Sequence, residues 1–391
     1  MKKTIKLYCC ILFTIIFFCI PHINVKAEES QEVIDEVVEQ MGEYDFTEVQ
    51  QFLNMQESDL GWNVSFEELM TSLVTGQWSS LLSQLGGAMK QALFAEVRMN
   101  SVLLGQIILL GVVGAVFSNF SNIFSSSQIS ETGFFVTYLL LFTCLVTSCL
   151  TGISLTSKVA ENIFHFMQIL LPSYFLAVAF AGGGVTAIAL YEFTLIIISV
   201  MQWLIFKMLI PLTQVYILLV LTSQIAKEDM LSKLTDLIEQ LIKWSLKTMI
   251  GVVLGFHMIQ GMILPYVDSM TNASVQKVIG IIPGIGQGVN AATQIIVGSG
   301  VIIKNTIGAS AIIILAGIVA LPLIKMIVCI FLYQCSAAIM QPVCDKRAIS
   351  CISSVVKGYK LLMQIMVTSV LLFVITIAVI CSGSNASYFA M

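Results

Sequence analysis

Long apolar runs alternate with short polar linkers over most of this 391-residue chain. Each run is close to the length of a membrane crossing, about 20 residues, and lipid offers its backbone no hydrogen-bond partner. The pattern therefore predicts an all-α, polytopic membrane protein with about eight spans. These lie near residues 101–118, 132–155, 163–182, 185–206, 208–225, 248–266, 307–332 and 361–381. Six or seven spans also fit, because only residues 182–184 and Lys207 separate the third, fourth and fifth runs.

The distribution of basic residues gives a weak indication of sidedness. Eight spans return the C-terminus to the side of the mature N-terminus and place loops 226–247 and 333–360 in the cytoplasm. These two loops contain eight Lys and Arg residues, against six in the segments assigned to the outside. Because cytoplasmic loops are enriched in Lys and Arg, the count favours an extracytoplasmic N-terminus by a small margin.

The first 27 residues have the pattern of a secretory signal peptide. Three lysines precede an apolar run from Leu7 to Ile20, and Val25-Lys26-Ala27 suits cleavage after Ala27. The run is short for a membrane crossing. An uncleaved membrane anchor is the alternative.

Residues 28–100 form an acidic segment that is predicted to be an extracytoplasmic helical head. They contain 14 of the 23 acidic residues and only two basic ones, Lys90 and Arg98. Apolar residues recur at helical spacing in three short stretches, and Ser65 with Glu68 has the spacing of a capping box. A core of this size is marginal, so we expect the head to pack on a partner or on the membrane surface. Its charge indicates either a solvated face or a docking surface for a basic partner.

Beyond the head, the sequence predicts a first membrane bundle over 101–225, a cytoplasmic amphipathic helix over 226–247 and a second membrane bundle over 248–391. The amphipathic helix carries apolar residues on one face and alternating charges on the other. It is expected to pack on the membrane or on the chain's own body, with docking of a soluble partner as the alternative.

Segment 278–306 is apolar but rich in glycine, and it contains Pro283. Such a segment is tolerated at membrane depth only when it is buried in protein or lines a wet cavity. We expect either a re-entrant hairpin beside a translocation path or an extracytoplasmic loop of two surface helices. The candidate path-lining residues are Pro283, Gly284, Gly286, Gly288, Gly298, Lys304 and Asn305.

Two charged residues fall inside predicted spans at matching depth. Glu192 and Lys325 each lie about 11 Å from the cytoplasmic end of their helices, which would allow an intramembrane ion pair. The alternative for Lys325 is that its side chain extends to the interface. His165 and His257 stand alone on apolar helices, where packing and hydrogen bonding are more common than ligation.

No sequence motif for catalysis, cofactor binding or metal binding occurs. The chain contains no G-x-x-x-x-G-K-[ST] loop, no H-E-x-x-H and no G-x-S-x-G. The cysteines beyond the signal peptide include no C-x-x-C pair and are expected to fill apolar positions. The composition, 57% apolar and 11% charged, excludes a nucleic-acid binder and a secreted globular enzyme. Because the chain has no G-x-x-x-x-G-K-[ST] loop, any ATP-driven step must be powered by another protein.

The C-terminal third contains a recognisable order of short motifs. They are Ile282-Pro283, the glycines that follow, Val297-Gly298-Ser299, Ile303-Lys304-Asn305, Gly308, Pro322-Leu323-Ile324-Lys325, Tyr333, Ala337-Ala338 and Gln341-Pro342. In this order the chain resembles the stage III sporulation protein AE family of endospore-forming bacteria. The signal peptide, acidic head and multi-span body also fit that family. The resemblance implies a mother-cell membrane protein in a channel-like assembly with the forespore. The partners it implies are a secretion-type ATPase, ring-forming sister proteins and a forespore membrane protein, with no nucleic acid.

Two functional hypotheses follow. The first is a non-enzymatic membrane subunit of a sporulation transport complex, with a role as its permease-like core. The second is a self-sufficient secondary transporter of a small solute, with Glu192 as the coupling carboxylate. An intramembrane enzyme is disfavoured because the catalytic motifs are missing.

Overall fold

A computed structural model describes residues 37–56, 65–77, 79–120, 127–181, 184–223, 231–279 and 286–389. The predicted signal peptide, Pro283 and Gly284 lie outside these ranges. The described chain is all-helical, as the apolar runs predict. Its helices are α1 (Thr47–Met55), α2 (Phe66–Val74), α3 (Ser79–Phe120), α4 (Ser127–Phe180), α5 (Gly184–Leu204), α6 (Ile210–Ser223), α7 (Ser232–Ile279), α8 (Gly286–Met340) and α9 (Lys346–Phe389).

Six helical segments of the described chain are long and apolar enough to cross a membrane, the low end of the expected range. They are Met89–Val116, Phe135–Phe180, Ala187–Ser223, Ser232–Gln260, Val297–Met340 and Lys346–Ser382. Two pairs of the predicted spans are fused. Runs 132–155 and 163–182 both belong to α4, and runs 185–206 and 208–225 form one continuous helical segment.

The second fusion passes through a π-helical turn at Ile205–Leu209. Pro211 has no N–H to offer the carbonyl of Lys207, so the regular helical pattern cannot continue there. The chain widens by one residue, and the N–H of Ile210 donates to the carbonyl of Ile205. The helix therefore continues past the proline, with the Thr213 hydroxyl donating to the Leu209 carbonyl at 2.8 Å.

The membrane helices form one bundle around α9. In the apolar part of α9, 72% of the residues are buried, the highest share among the six segments. Helices α4, α6, α7 and α8 all pack against it, and α8 also packs on α3 and α4. The predicted division into bundles 101–225 and 248–391 is therefore not observed, because helices from both ranges interdigitate. The predicted boundary at residue 247 falls inside the continuous helix α7.

The head packs on its own bundle, whereas the sequence suggested a partner or the membrane surface. Helix α1 contacts α4, and α2 contacts α8. Phe52 lies against Phe166, with ring centroids 5.8 Å apart. Asn162 donates to the Gln56 side chain at 2.7 Å, and Ser173 donates to the Asp45 carbonyl at 2.8 Å. We call this the head end of the bundle, and the opposite end, where residues 341–345 join α8 to α9, the loop end.

Short-range hydrogen bonds shape the head as the sequence suggested. Ser65 caps α2 by accepting from the N–H of Glu68, although at a long 3.5 Å. Asp45 accepts from the N–H of Thr47 at 2.9 Å ahead of α1, and its hydrogen bonds with Thr47 lower the pKa of Asp45. Tyr44 packs edge-on against Phe180. Burial of the Tyr44 hydroxyl is the main cause that raises its pKa, and the nearby negative charge of Glu43 raises it further.

Candidate functional site

Lys304 is fully buried near the head end of the bundle, between α8, α9 and α4. Its ammonium group donates to the main-chain carbonyl of Cys381 at 3.2 Å. The Cys381 thiol lies 3.1 Å from the Tyr174 hydroxyl. Burying a charged group in protein is costly unless hydrogen bonds or a counter-charge compensate, so its presence in this core points to a role. Lys304 is the one charged residue among those that the sequence predicted to line a path.

Two glycines on the same helix as Lys304 allow the close helix contacts around it. A Cβ at Gly300 would lie 2.9 Å from backbone atoms of Phe180 and Ala181. A Cβ at Gly308 would lie 2.7 Å from the thiol of Cys381. Gly300 and Gly308 therefore allow close packing of helices.

The described part of segment 278–306 is helical. Gly286 begins α8, and Gly288 and Gly298 lie inside that continuous helix. Helix α7 ends at Ile279, and residues 280–285 lie outside the described ranges. Helix α8 continues directly into the bundle core, and the choice between a re-entrant hairpin and two surface helices stays a prediction. Glycine costs helix stability but does not end a helix that tertiary packing supports.

Asn305, the neighbour of Lys304, is half-buried. Its Oδ1 is buried without a hydrogen bond among the described residues, as is the Ser310 hydroxyl about one and a half turns further along α8. Buried polar atoms usually have a partner or an ordered water. Together with Lys304, these two atoms make this stretch of α8 polar although it lies in the bundle interior.

The ion pair predicted between Glu192 and Lys325 is not formed in the structure. Both side chains are exposed on outer faces of the bundle. Their helices, α5 and α8, are not among those that pack extensively against each other. The Cys329 thiol instead lies within electrostatic range of Lys325 and Glu96. Equal depth was estimated for runs 185–206 and 208–225 as separate spans, but the two form one continuous helical segment, so the distance of Glu192 from the start of its run does not give its height in the bundle. The estimate also carried no information on which helix faces which.

A family model described as stage III sporulation protein AE matches residues 64–384. The chain belongs to this family. It is 25% identical over 336 residues to stage III sporulation protein AE of Bacillus subtilis (strain 168), which covers 83% of this chain and 84% of the relative. No solved structure matches the chain. The family match includes α2 to α9 nearly whole and leaves out α1, and the resemblance noted in the C-terminal third is confirmed.

The sequence of this sporulation-family protein gave no signal for a second polar cluster, which joins α6, α7 and α9. Tyr216 donates to Glu239 at 3.0 Å, and Glu239 pairs with Lys243 one turn away. Lys357 of α9 lies within electrostatic range of Glu239. The sequence shows alternating charges over residues 226–247, but this pattern does not predict which side of α7 contacts α9.

Two further polar networks fix the packing of the family's long helices. Tyr333 donates to the Ser148 hydroxyl, and Tyr359 donates to the Ser148 carbonyl at 2.8 Å, so this network joins α4, α8 and α9. His257 lies 3.0 Å from both Gln260 and Thr376, as a packed and hydrogen-bonded histidine should. His165 is exposed and meets the ring of Phe52 edge-on.

Proposed function

We propose that this protein is a non-enzymatic, multi-pass membrane subunit of a sporulation transport complex that links mother cell and forespore, and that it forms the permease-like core. The observation that carries the proposal is the combination of family membership with one bundle of six spanning-length helices whose interior holds a buried lysine. A fully apolar core would suit a passive anchor better, because a buried charge is expensive in a bundle that only has to pack.

The sequence supports dependence on partners. It has no nucleotide-binding loop, so energy for transport is proposed to come from a secretion-type ATPase, with ring-forming sister proteins and a forespore membrane protein completing the assembly. The acidic head is placed in the space between the two membranes, where such ring proteins would meet it. The mother-cell membrane around the forespore is the proposed location.

Affinity purification from sporulating cells tests this proposal. A tagged chain that replaces the native copy should co-purify with an ATPase and with other membrane proteins of the assembly, and its deletion should stop spore formation. If the purified chain alone drives solute uptake into vesicles, and if Glu192→Gln abolishes that uptake, the self-sufficient transporter is correct instead. The exposed position of Glu192 gives that alternative no support.

A further inference from the structure

Hydrogen bonds between helices set a common level near the loop end of the bundle. The Tyr138 hydroxyl of α4 lies 3.5 Å from both the Leu221 carbonyl of α6 and the Cys351 thiol of α9. We call this the Tyr138 level. Heights above it, towards the head, follow from the helical rise of about 1.5 Å per residue.

A belt of exposed charged residues surrounds the bundle well above the Tyr138 level. Lys158 on α4 lies about 30 Å above it, and Lys207, before α6, lies about 21 Å above it. Lys325 on α8 lies about 27 Å above it, since Tyr333 is bonded to Ser148 between them. Further exposed charged residues on α3, α4 and α7 lie at similar heights. The charged belt comprises Arg98, Lys158, Glu161, Lys207, Lys247 and Lys325, all exposed.

The outer surface between the Tyr138 level and the charged belt is largely apolar. Exposed apolar side chains occur there on every peripheral helix: Leu109 on α3, Leu140 and Leu150 on α4, Val215 and Leu218 on α6, Leu237 and Trp244 on α7, and Phe331 on α8. Exposed threonines of α4 donate to carbonyls of their own helix, so they need no water. This zone is about 20 to 30 Å thick, comparable with the hydrocarbon core of a bilayer, and lipid is the natural solvent of such a surface. Its parts of segments 226–247 and 333–360 would then lie in the membrane and not in the cytoplasm, where the count of basic residues placed them.

One strip of this zone is polar, and it belongs to the central helix. Ser350, Ser353, Lys357, Lys360 and Gln364 recur at spacings of three and four, so they lie on one face of α9. The first three are exposed and the last two half-exposed. We call them the polar strip. It rises from the Tyr138 level to about 20 Å above it, inside the apolar zone.

The other faces of α9 at this height meet the bundle. Gly358 packs against Ile217 of α6, and Tyr359 bonds to Ser148 of α4. Beside the polar strip, α7 contributes Glu239 and Lys243, and Asp236 lies one turn before them. Charged side chains facing hydrocarbon are costly, so this surface at the junction of α7 and α9 is unsuited to lipid.

We infer that the polar strip, with the adjoining charges of α7, is the wall of a water-filled path that crosses the bilayer beside α9 and takes small polar solutes. The inference rests on the proposed function, because it gives a location to the path of the proposed permease-like core. The structure gives the path its position. Among the described residues of this zone, α9 is the helix that is buried on its other faces and still exposes a continuous run of polar side chains.

Thiol accessibility tests the inference with a control at the same height. In a cysteine-free full-length chain, Ser353→Cys and Leu140→Cys each lie about 3 Å above the Tyr138 level. The purified variants are placed in lipid nanodiscs and treated with a charged methanethiosulfonate reagent. Gln364→Cys and Leu150→Cys form a second pair near the charged belt.

The expected result is rapid labelling of Ser353→Cys and Gln364→Cys, with Leu140→Cys and Leu150→Cys protected until detergent is added. Labelling of both members of a pair would mean that this zone lies outside the bilayer and would overturn the inference. Protection of both members would mean that the strip is dry and would overturn it equally. The labelling needs no partner protein, so its failure is distinguishable from a failure of the co-purification that tests the proposed function.

Discussion

The ammonium group of Lys304 lies 3.2 Å from the carbonyl oxygen of Cys381, joining α8 to α9 inside the bundle. The contact is possible because Gly308, one turn from Lys304, lets α9 approach α8 closely. A cation held by a main-chain carbonyl between two packed helices is sensitive to small changes in helix spacing. The first prediction therefore concerns the glycines of α8.

Gly300→Ala should destabilise the bundle by about 1–3 kcal/mol, the usual cost of overpacking. Its new methyl group would meet backbone atoms of Phe180 and Ala181 at 2.9 Å, and backbone cannot move aside as a side chain can. Gly105→Ala is the control, because nothing lies within 4 Å of its Cβ position. Thermal unfolding in detergent should show a lower midpoint only for Gly300→Ala. Equal midpoints would mean that α4 and α8 do not meet as described.

Ser148→Ala should cost about 1–3 kcal/mol of stability, because it leaves the Tyr333 hydroxyl buried without its acceptor. Thr147→Ala on the same helix removes a hydroxyl that bonds only to the carbonyl of Thr143, and it should change stability by less than about 0.5 kcal/mol. Combining Ser148→Ala with Tyr333→Phe should cost less than the two single changes together, as for any shared network. Strict additivity in a double-mutant cycle would contradict the network.

Phe52→Ala should release the head from the bundle. Phe52 is buried against Phe166 and His165, and removing a buried ring costs about 3–5 kcal/mol. Limited proteolysis should then cut the head faster, while the membrane helices stay protected. Met55→Ala serves as the control, because Met55 is 72% exposed at the end of the same helix. Unchanged cleavage of Phe52→Ala would place the head elsewhere.

Glu192→Gln and Lys325→Met should each leave both thermal stability and spore formation unchanged. The side chains are exposed on different faces of the bundle and do not pair. Exposed substitutions away from special features usually change stability by less than about 0.5 kcal/mol. Loss of function in both variants, restored when the two charges are exchanged, would show that the ion pair suggested by sequence forms in the working assembly.

The head should lose stability in acid through Asp45. Its folded-state pKa lies below the ordinary value, so the stabilisation is present above the ordinary pKa and is lost as the pH falls through the lowered one. Asp45→Asn should remove this part of the pH dependence. Proteolysis of the head by an acid-stable protease, followed from about pH 5 downwards, measures it. The same acid response in wild type and Asp45→Asn would exclude this role.

The sequence predicted the helical membrane fold, the capped helix of the head and the family, because hydropathy, capping and motif order are local properties of a chain. It separated runs 132–155 and 163–182 because Lys158 and Glu161 between them look like a loop. The structure shows that they lie in one helix, exposed on its outer face. A charged residue within an apolar sequence can mark the end of a helix, or it can lie on the water-exposed face of a helix that continues. Hydropathy alone does not distinguish the two cases.

The candidate site was only partly predictable for a related reason. Lys304 was identified from its place in a glycine-rich apolar segment, and the structure buries it between helices, which the segment's pattern did not specify. Glu192 and Lys325 were paired from equal depth, yet helix rotation and neighbour order decide pairing. The Glu239 cluster and the polar strip depend on contacts between helices that are far apart in sequence, which no local pattern encodes.

A bulky side chain in the polar strip tests the central claim, that this protein forms a path through the membrane in a sporulation complex. Ser353→Trp would place a bulky ring on the polar strip, while Leu140→Trp adds the same bulk at the same height on the apolar outer surface. Both variants should accumulate and co-purify with the partner proteins to the wild-type extent, but only Ser353→Trp should fail to support spore formation. Normal spore yield from an assembled Ser353→Trp complex would contradict the account.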